Sequence, residues 1–239
     1  MSLTPELSVI QRAVLRHLRS LSLPPDARAL DAPCGAGALT LALAQAGFEA
    51  WGADTEAAQL LGERFRRVDL NTALPWPDGS FDAVFSIEGI EHLENPFAFL
   101  REAHRVLRTD GPLVVTTPNI LSLRSRVRFF GSGFYGRDSR PLNESGRHPL
   151  HHIALATFPE LRYALQTSGF RLIETTHTHS KPVSYLYALY APWMWLYTVI
   201  AFRKEKDPAQ RKRNREILAT LFSPSLLFGE NLLLVARKV

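Results

Sequence analysis

The chain has 239 residues, 46% of them hydrophobic, with 28 Lys and Arg against 23 Asp and Glu and a single cysteine. That length and apolar content can bury a sizeable core, which excludes an intrinsically disordered chain and suits one domain over 1–239. The lone Cys34 excludes an intrachain disulfide framework and fits a reducing, cytoplasmic setting. The net charge of +5 is modest, yet seven basic and two acidic residues between 203 and 215 account for all of it.

In chain order, apolar residues at helical intervals predict an amphipathic N-terminal helix over 4–21, its Arg residues interrupting any signal-peptide core. "ARALDA" reads as a short buried strand, "GALTLALAQAG" as a helix closed by Gly47, and "FEAWGAD" as a second strand. "TEAAQLLGERF" predicts a helix capped by Thr55, and "RRVDL" a third strand. A fourth strand follows over Phe81 to Ile87, then a helix in "NPFAFLREAHRVLRTDG" and a fifth strand in "PLVVTTPN". Residues 122–152, rich in Arg, Gly, Ser and His, read as an active-site cover. "TFPELRYALQTSGF" gives a helix capped at Thr157, "RLIETTHTH" a strand and "ENLLLVARKV" the last strand, with an apolar and basic helical insertion over 181–228. Alternation of this kind implies an α/β fold with a parallel sheet covered on both faces.

The first strand runs into "LDAPCGAG", a glycine turn entered by Asp31, and the second ends at Asp54. A glycine turn after a first strand with an acid on the next strand fits any nucleoside site of the Rossmann type, so NAD and S-adenosylmethionine (SAM) both remain open on that ground. The third glycine of the dinucleotide pattern is absent: Thr40 stands in its place. Asp31 weighs further, because a carboxylate beside the turn repels a pyrophosphate and favours the sulfonium and ammonium charges of SAM.

On these motifs the sequence resembles class I SAM-dependent methyltransferases of the type 11/23 kind. "LDAPCGAG" resembles their first motif, "GAD" their second-strand acid, "VDLN" their third-strand acid and "LPWPDGSFDAVFSIEGIEHL" their fourth-strand region. The resemblance is close over about 28–120 and looser beyond. It implies a Rossmann-like fold with seven strands, mostly parallel with the last antiparallel, and SAM as the methyl donor. It further implies that Asp31, Ala32, Gly35 and Gly37 line the methionine and ribose of SAM. Asp54 would take the ribose hydroxyls with Thr55 beside it, Asp69 and the Leu70 backbone the adenine, and Ser86, Ile87 and Glu88 would border the methyl. Cys34 replaces a glycine often found there and reads as a small buried filler.

Methyl transfer is an in-line displacement in which alignment supplies much of the acceleration, and a base matters where the acceptor must lose a proton. "IEGIEHL" puts Glu88, Glu91 and His92 just past the fourth strand, where ligands bind in open α/β sheets. His92 is the candidate base, and of His148, His151 and His152 in the cover, His152 is the candidate for acceptor contact. The alternative for these histidines is a helix cap and a solvated loop. Glu-x-x-Glu-His with a later His also resembles the divalent-metal set of small-RNA and some ubiquinone-pathway O-methyltransferases. Similar stretches are common in methyltransferases without metal, so no metal is expected.

Residues 182–202 carry no charge but hold four of the six tyrosines and two of the four tryptophans, with Pro192 in their midst. That composition belongs to a membrane interface more than to a hydrocarbon core, and the basic stretch that follows suits an anionic leaflet. A single crossing would separate the last two strands. The expectation is peripheral contact through 182–228 at the inner face of the cell membrane, with a lipid-like or lipid-linked small molecule as acceptor. The competing readings are a buried lid of a soluble enzyme acting on a small metabolite or RNA, and a SAM-binding regulatory protein without turnover. Arg124, Arg126, Arg128, Arg137 and Arg140 lack the stacking aromatics of a recognised RNA module, which argues against nucleic acid.

Overall fold

The computed structural model describes residues 5–135, 141–146 and 150–239. Its centre is a seven-stranded sheet built from β1 (Arg28–Asp31), β2 (Glu49–Asp54), β3 (Phe65–Arg67), β4 (Ala83–Ile87), β5 (Pro112–Pro118), β6 (Phe170–His177) and β7 (Asn231–Lys238). The spatial order is β3-β2-β1-β4-β5-β7-β6, with every pair parallel except those made by β7, which runs antiparallel to both neighbours. The seven-stranded Rossmann-like sheet expected from the motifs is therefore present.

Central strands are mainly apolar, as a sheet covered on both faces requires, with Asp31, Ser86, Thr116 and Thr117 as buried polar residues. All five residues of β4 are buried. One face packs Leu30, Phe81, Val84, Phe99, Leu100 and Phe158 into the larger core. The other packs Val14, Leu39, Leu43, Phe85 and Leu233.

Helices start where side chains take up free amides. The N-terminal α1 (Val9–His17) begins with a capping box between Ser8 and Gln11, and continues as a 3-10 turn over Leu18–Leu21. It therefore begins later than the expected 4–21; residues 1–4 lie outside the described residues. Next come α2 (Ala38–Gln45), α3 (Pro96–Val106) capped by Asn95, and α4 (Leu123–Ser132) capped by Ser122. At α5 (Phe158–Thr167) the expected Thr157 cap forms a capping box with Glu160.

Three expectations are corrected. The helix read over "TEAAQLLGERF" is a 3-10 segment, Gln59–Arg64, broken where Gly62 takes φ 53° and ψ −126°. Only Ala58 and Leu61 of that stretch are buried, so too little apolar surface favours a full helix. The third strand is shorter and earlier than "RRVDL", because Asp69 and the residues after it turn away from the sheet. Within 122–152, α4 is a regular helix, so the cover is partly ordered structure; its residues 136–140 and 147–149 lie outside the described residues.

The insertion holds a 3-10 stretch (Pro182–Tyr190), α6 (Ala191–Phe202), α7 (Pro208–Leu221) and α8 (Pro224–Phe228). The mainly apolar stretch 216–228 is divided between α7 and α8 at Ser223, which caps α8. A bridge between Ser180 and Gly229 closes the feet of the insertion at the sheet edge.

Candidate functional site

The sheet reverses direction of winding between β1 and β4, and ligands of open α/β sheets sit at the carboxyl ends of the strands flanking such a point. Asp31, Asp54 and Glu88 stand at or just beyond the ends of β1, β2 and β4. Asp69 and Leu70 follow β3. The structure thus brings the residues singled out for SAM to one edge.

Gly37 caps α2 in the left-handed region at φ 87°, and a Cβ there would come within 2.9 Å of the Leu61 side chain, so the turn needs glycine twice over. Gly35, at φ 52°, donates its amide to Asp54 Oδ2 at 2.8 Å. The other Asp54 oxygen accepts from the Glu56 amide at 3.2 Å and the Thr55 hydroxyl at 3.3 Å. Asp31 is buried, with Ala32 and Cys34 beside it. Thr40, in the first turn of α2, donates its hydroxyl to Asp31 Oδ2 at 2.7 Å and so ties the strand end to the helix start. Burial raises the Asp31 carboxyl to about 7, the Thr40 bonds oppose the rise and the Asp54 charge adds to it. Asp31 is therefore held half-neutral near pH 7, and a nearby cation would draw it back to the anion. The same burial pushes the Cys34 thiol up, which suits a filler and no nucleophile.

Asp69 is exposed and folds an Asx turn, its Oδ1 accepting from the Asn71 amide and side chain at 2.9 Å each. Leu70 is buried beneath it. Ser86 is buried with no hydrogen-bond partner for Oγ, next to Ile87 at 8% exposure. Gly89 closes the two loops on one another: a Cβ there would lie 2.1 Å from Pro33 Cδ.

Beyond β4 the chain places a second group. Glu88 accepts from Thr116 Oγ1 at 2.9 Å and from Asn231 Nδ2 at 2.6 Å. Glu91 is fully buried, and neither carboxylate oxygen meets a donor at bonding geometry. Burial raises both carboxyls, and the Glu88 charge raises Glu91 further, with Thr117 close enough only to moderate the rise. The His92 and His152 rings stand edge to face at 4.8 Å. His92 Nδ1 lies 3.0 Å from the His151 carbonyl. A carbonyl can only accept, so Nδ1 is the donor in this bond, and in the neutral ring Nε2 carries the lone pair. Backbone pairing of Ala154 N–H with Glu91 O, 2.9 Å, holds the 151–154 segment here. His148 lies outside the described residues.

Single ligand atoms of Glu91, His92 and His152 lie within 4.8 Å of one another. A buried carboxylate without a donor and two imidazoles form a mixed donor set that fits a divalent ion. A mainly apolar groove of about 520 Å³ is lined by Ile90, the neighbour of Glu91 in the chain, and by Phe97, Ala154, Leu155, Pro159 and Tyr163 among others. Sequence reasoning missed Thr116 and Asn231, the residues that hold Glu88 in place. Their only trace is a polar residue at the end of an apolar run, as in "NLLLV".

A sheet of this order, with a glycine turn at the switch point and acids at or just after the ends of its first three strands, is similar to the fold of class I SAM-dependent methyltransferases. Residues 30–115 match the methyltransferase domain family. A relative from Mycolicibacterium smegmatis, named as a probable S-adenosylmethionine-dependent methyltransferase, is 35% identical over 152 residues, 61% of this chain and 52% of its own length. The ubiquinone biosynthesis O-methyltransferase of Pseudomonas paraeruginosa is 30% identical over 101 residues, 38% of this chain and 44% of its own. The chain thus spans about half the length of these curated relatives. The fold is shared with a SAM-dependent methyltransferase of Archaeoglobus fulgidus, with TM-score 0.59 and 18% identity over 96% of this chain and 93% of that one.

Proposed function

We propose that the chain transfers the methyl group of SAM to a small acceptor of lipid-like or lipid-linked character, reached at the inner face of a membrane. The donor occupies the edge formed by Asp31, Ala32, Gly35, Gly37, Asp54, Thr55, Asp69, Leu70 and Ser86 to Glu88, where burial of Asp31 against a cation is favourable. His92, its Nδ1 tied to the His151 carbonyl, takes the proton of an acceptor hydroxyl or ammonium through Nε2, and His152 orients the acceptor. The observation that carries the lipid-like reading is the apolar groove lined by Ile90, Phe97, Leu155 and Tyr163, whose lining residue Ala154 is hydrogen-bonded through its backbone to Glu91. Incubation of lipid and polar extracts with isotopically labelled SAM tests it. Label in apolar, extractable products supports the reading, and label confined to water-soluble metabolites or RNA removes it.

A second reading, metal-assisted transfer, is favoured by Glu91, whose buried carboxylate lacks donors beside two imidazoles. A bound divalent ion would acidify an acceptor hydroxyl. Glu91, His92 and His152 would hold it, and added Mg²⁺, Mn²⁺ or Zn²⁺ would then raise the melting temperature of the wild-type chain but not of Glu91→Gln.

A further inference from the structure

The insertion carries two features that methyl transfer does not use. The first is α6: twelve residues, none charged and none buried. Trp193 and Tyr197 are stacked at 6.2 Å and each 69% exposed. The 3-10 stretch before α6 packs against both α6 and α4, so its exposed Leu186 and Leu189 and the 93%-exposed Phe130 of α4 continue the same apolar surface. An aromatic-rich surface of this extent is not left to water without a partner.

The second feature is a groove of about 370 Å³ between α6 and α7. Val199, Phe202 and Leu218 line it with apolar surface, and Arg203, Arg211 and Arg215 with charge. The local acids do not neutralise these arginines. Glu205 accepts from the Lys206 and Asp207 amides, Asp207 caps α7 through the Ala209 and Gln210 amides, and Glu216 pairs with Arg162. Among the described residues no basic side chain of 203–215 stands in an ion pair, and Arg211 is held in place by donating Nε to the Glu205 carbonyl at 2.6 Å.

Three guanidinium groups beside an apolar floor match a phosphate attached to an acyl chain. The surrounding geometry selects a bilayer surface. α6 is about 18 Å long at 1.5 Å per residue, short of the roughly 30 Å hydrocarbon core. No helix among the described residues is long and apolar enough to cross a membrane. The insertion also leaves and re-enters the sheet at one place, closed by the Ser180–Gly229 bridge. Such a hairpin can lie in an interface but has no second side to reach.

We infer that the α6–α7 hairpin is a docking surface for an anionic bilayer, with a lipid phosphate seated between Arg203, Arg211 and Arg215 and Trp193 and Tyr197 at headgroup depth. The inference rests on the membrane-face reading of the proposed function and names the surface and the lipid chemistry that serve it.

The test uses the full chain and vesicles of phosphatidylcholine with or without phosphatidylglycerol. The chain floats with the anionic vesicles and stays behind with the neutral ones. Brominated acyl chains quench Trp193 and Trp195, since Trp76 is buried and Trp51 half-buried. The triple variant Arg203→Gln, Arg211→Gln, Arg215→Gln loses about a hundredfold in partitioning, at the usual gain per basic residue near such a surface. Tyr197→Ser with Ile200→Ser weakens quenching, and both variants keep wild-type affinity for S-adenosylhomocysteine, which reports an intact fold. Failure to float, equal flotation of the triple variant, or retention on RNA in place of vesicles overturns the inference. Labelling of lipid-like acceptors in detergent separates the two readings: methylation without vesicle binding sinks the docking surface alone, and vesicle binding without any lipid-like product sinks the acceptor assignment alone.

Discussion

Asp31→Asn separates what the entrance carboxyl does for folding from what it does for the donor. In the folded chain burial holds this carboxyl at about 7, against 3.8 when free. The folded state therefore keeps a proton that the unfolded state has lost between these values. The favourable contribution is fully present below 3.8 and disappears as pH rises through about 7. The full interval of about three units corresponds to roughly 4 kcal/mol, an upper bound reached by pH 8. Asn is nearly isosteric, still accepts from the Thr40 hydroxyl and never ionises. Denaturant unfolding of the unliganded protein from pH 5 to 8 should find the variant ahead by about 1.6 kcal/mol at pH 5, where the unfolded carboxyl is already ionised. The variant should gain at pH 8 by up to about 4 kcal/mol, worth roughly 8–16 °C in melting temperature for a chain of this size. Taking the difference between the proteins removes the parallel contributions of Glu88 and Glu91. SAM binding should move the opposite way, weakening in the variant because the neutral amide no longer offsets the donor's charge. A difference that stays flat across this range, or a variant less stable at pH 8, would refute the burial argument.

Four other outcomes follow from the same geometry. His92→Gln should lower turnover by about two to four orders of magnitude with S-adenosylhomocysteine affinity unchanged, measured once an acceptor is in hand. Gly89→Ala should cost about 1–3 kcal/mol and weaken cofactor binding together, because its Cβ would meet the rigid Pro33 ring at 2.1 Å; thermal melts and calorimetry read both effects. Asn119→Ala should destabilise by about 2–4 kcal/mol in denaturant melts, since its side chain donates to the Leu226 and Gly229 carbonyls at 2.9 Å each in a buried position. Gly37→Ala should abolish cofactor binding at modest loss of stability, as both the φ of 87° and the approach of Leu61 oppose a Cβ.

The sheet was legible because β1, β4 and β5 are short apolar runs bounded by turn residues, and the caps at Thr157 and Gly47 are local chemistry. The stretch around Gln59–Arg64 was misread because its spacing is helical while its burial is not, and spacing carries no information about what lies opposite. At the site, Asp31 and Asp54 could be placed from position along the strands, and His92 from its distance past β4. Their surroundings could not. The depth that brings Asp31 to about 7 and strips Glu91 of donors is set by packing of α2, β5 and the 151–154 segment, all remote in sequence. Asn231 reaches Glu88 across 143 residues, a pairing that no local pattern announces.

That pairing also fixes when the edge around Glu88 can be completed. β7 comes seventh in chain order yet lies inside the sheet, between β5 and β6. Until residues 231–238 arrive, those two strands share no neighbour and Glu88 lacks one of its two donors. A nascent polypeptide halted before this point would hold a finished glycine turn beside an edge whose Glu88 still lacks its partner from β7. Shortening the chain ahead of Asn231 would therefore leave Glu88 short of a donor even where most of the α/β layer survives.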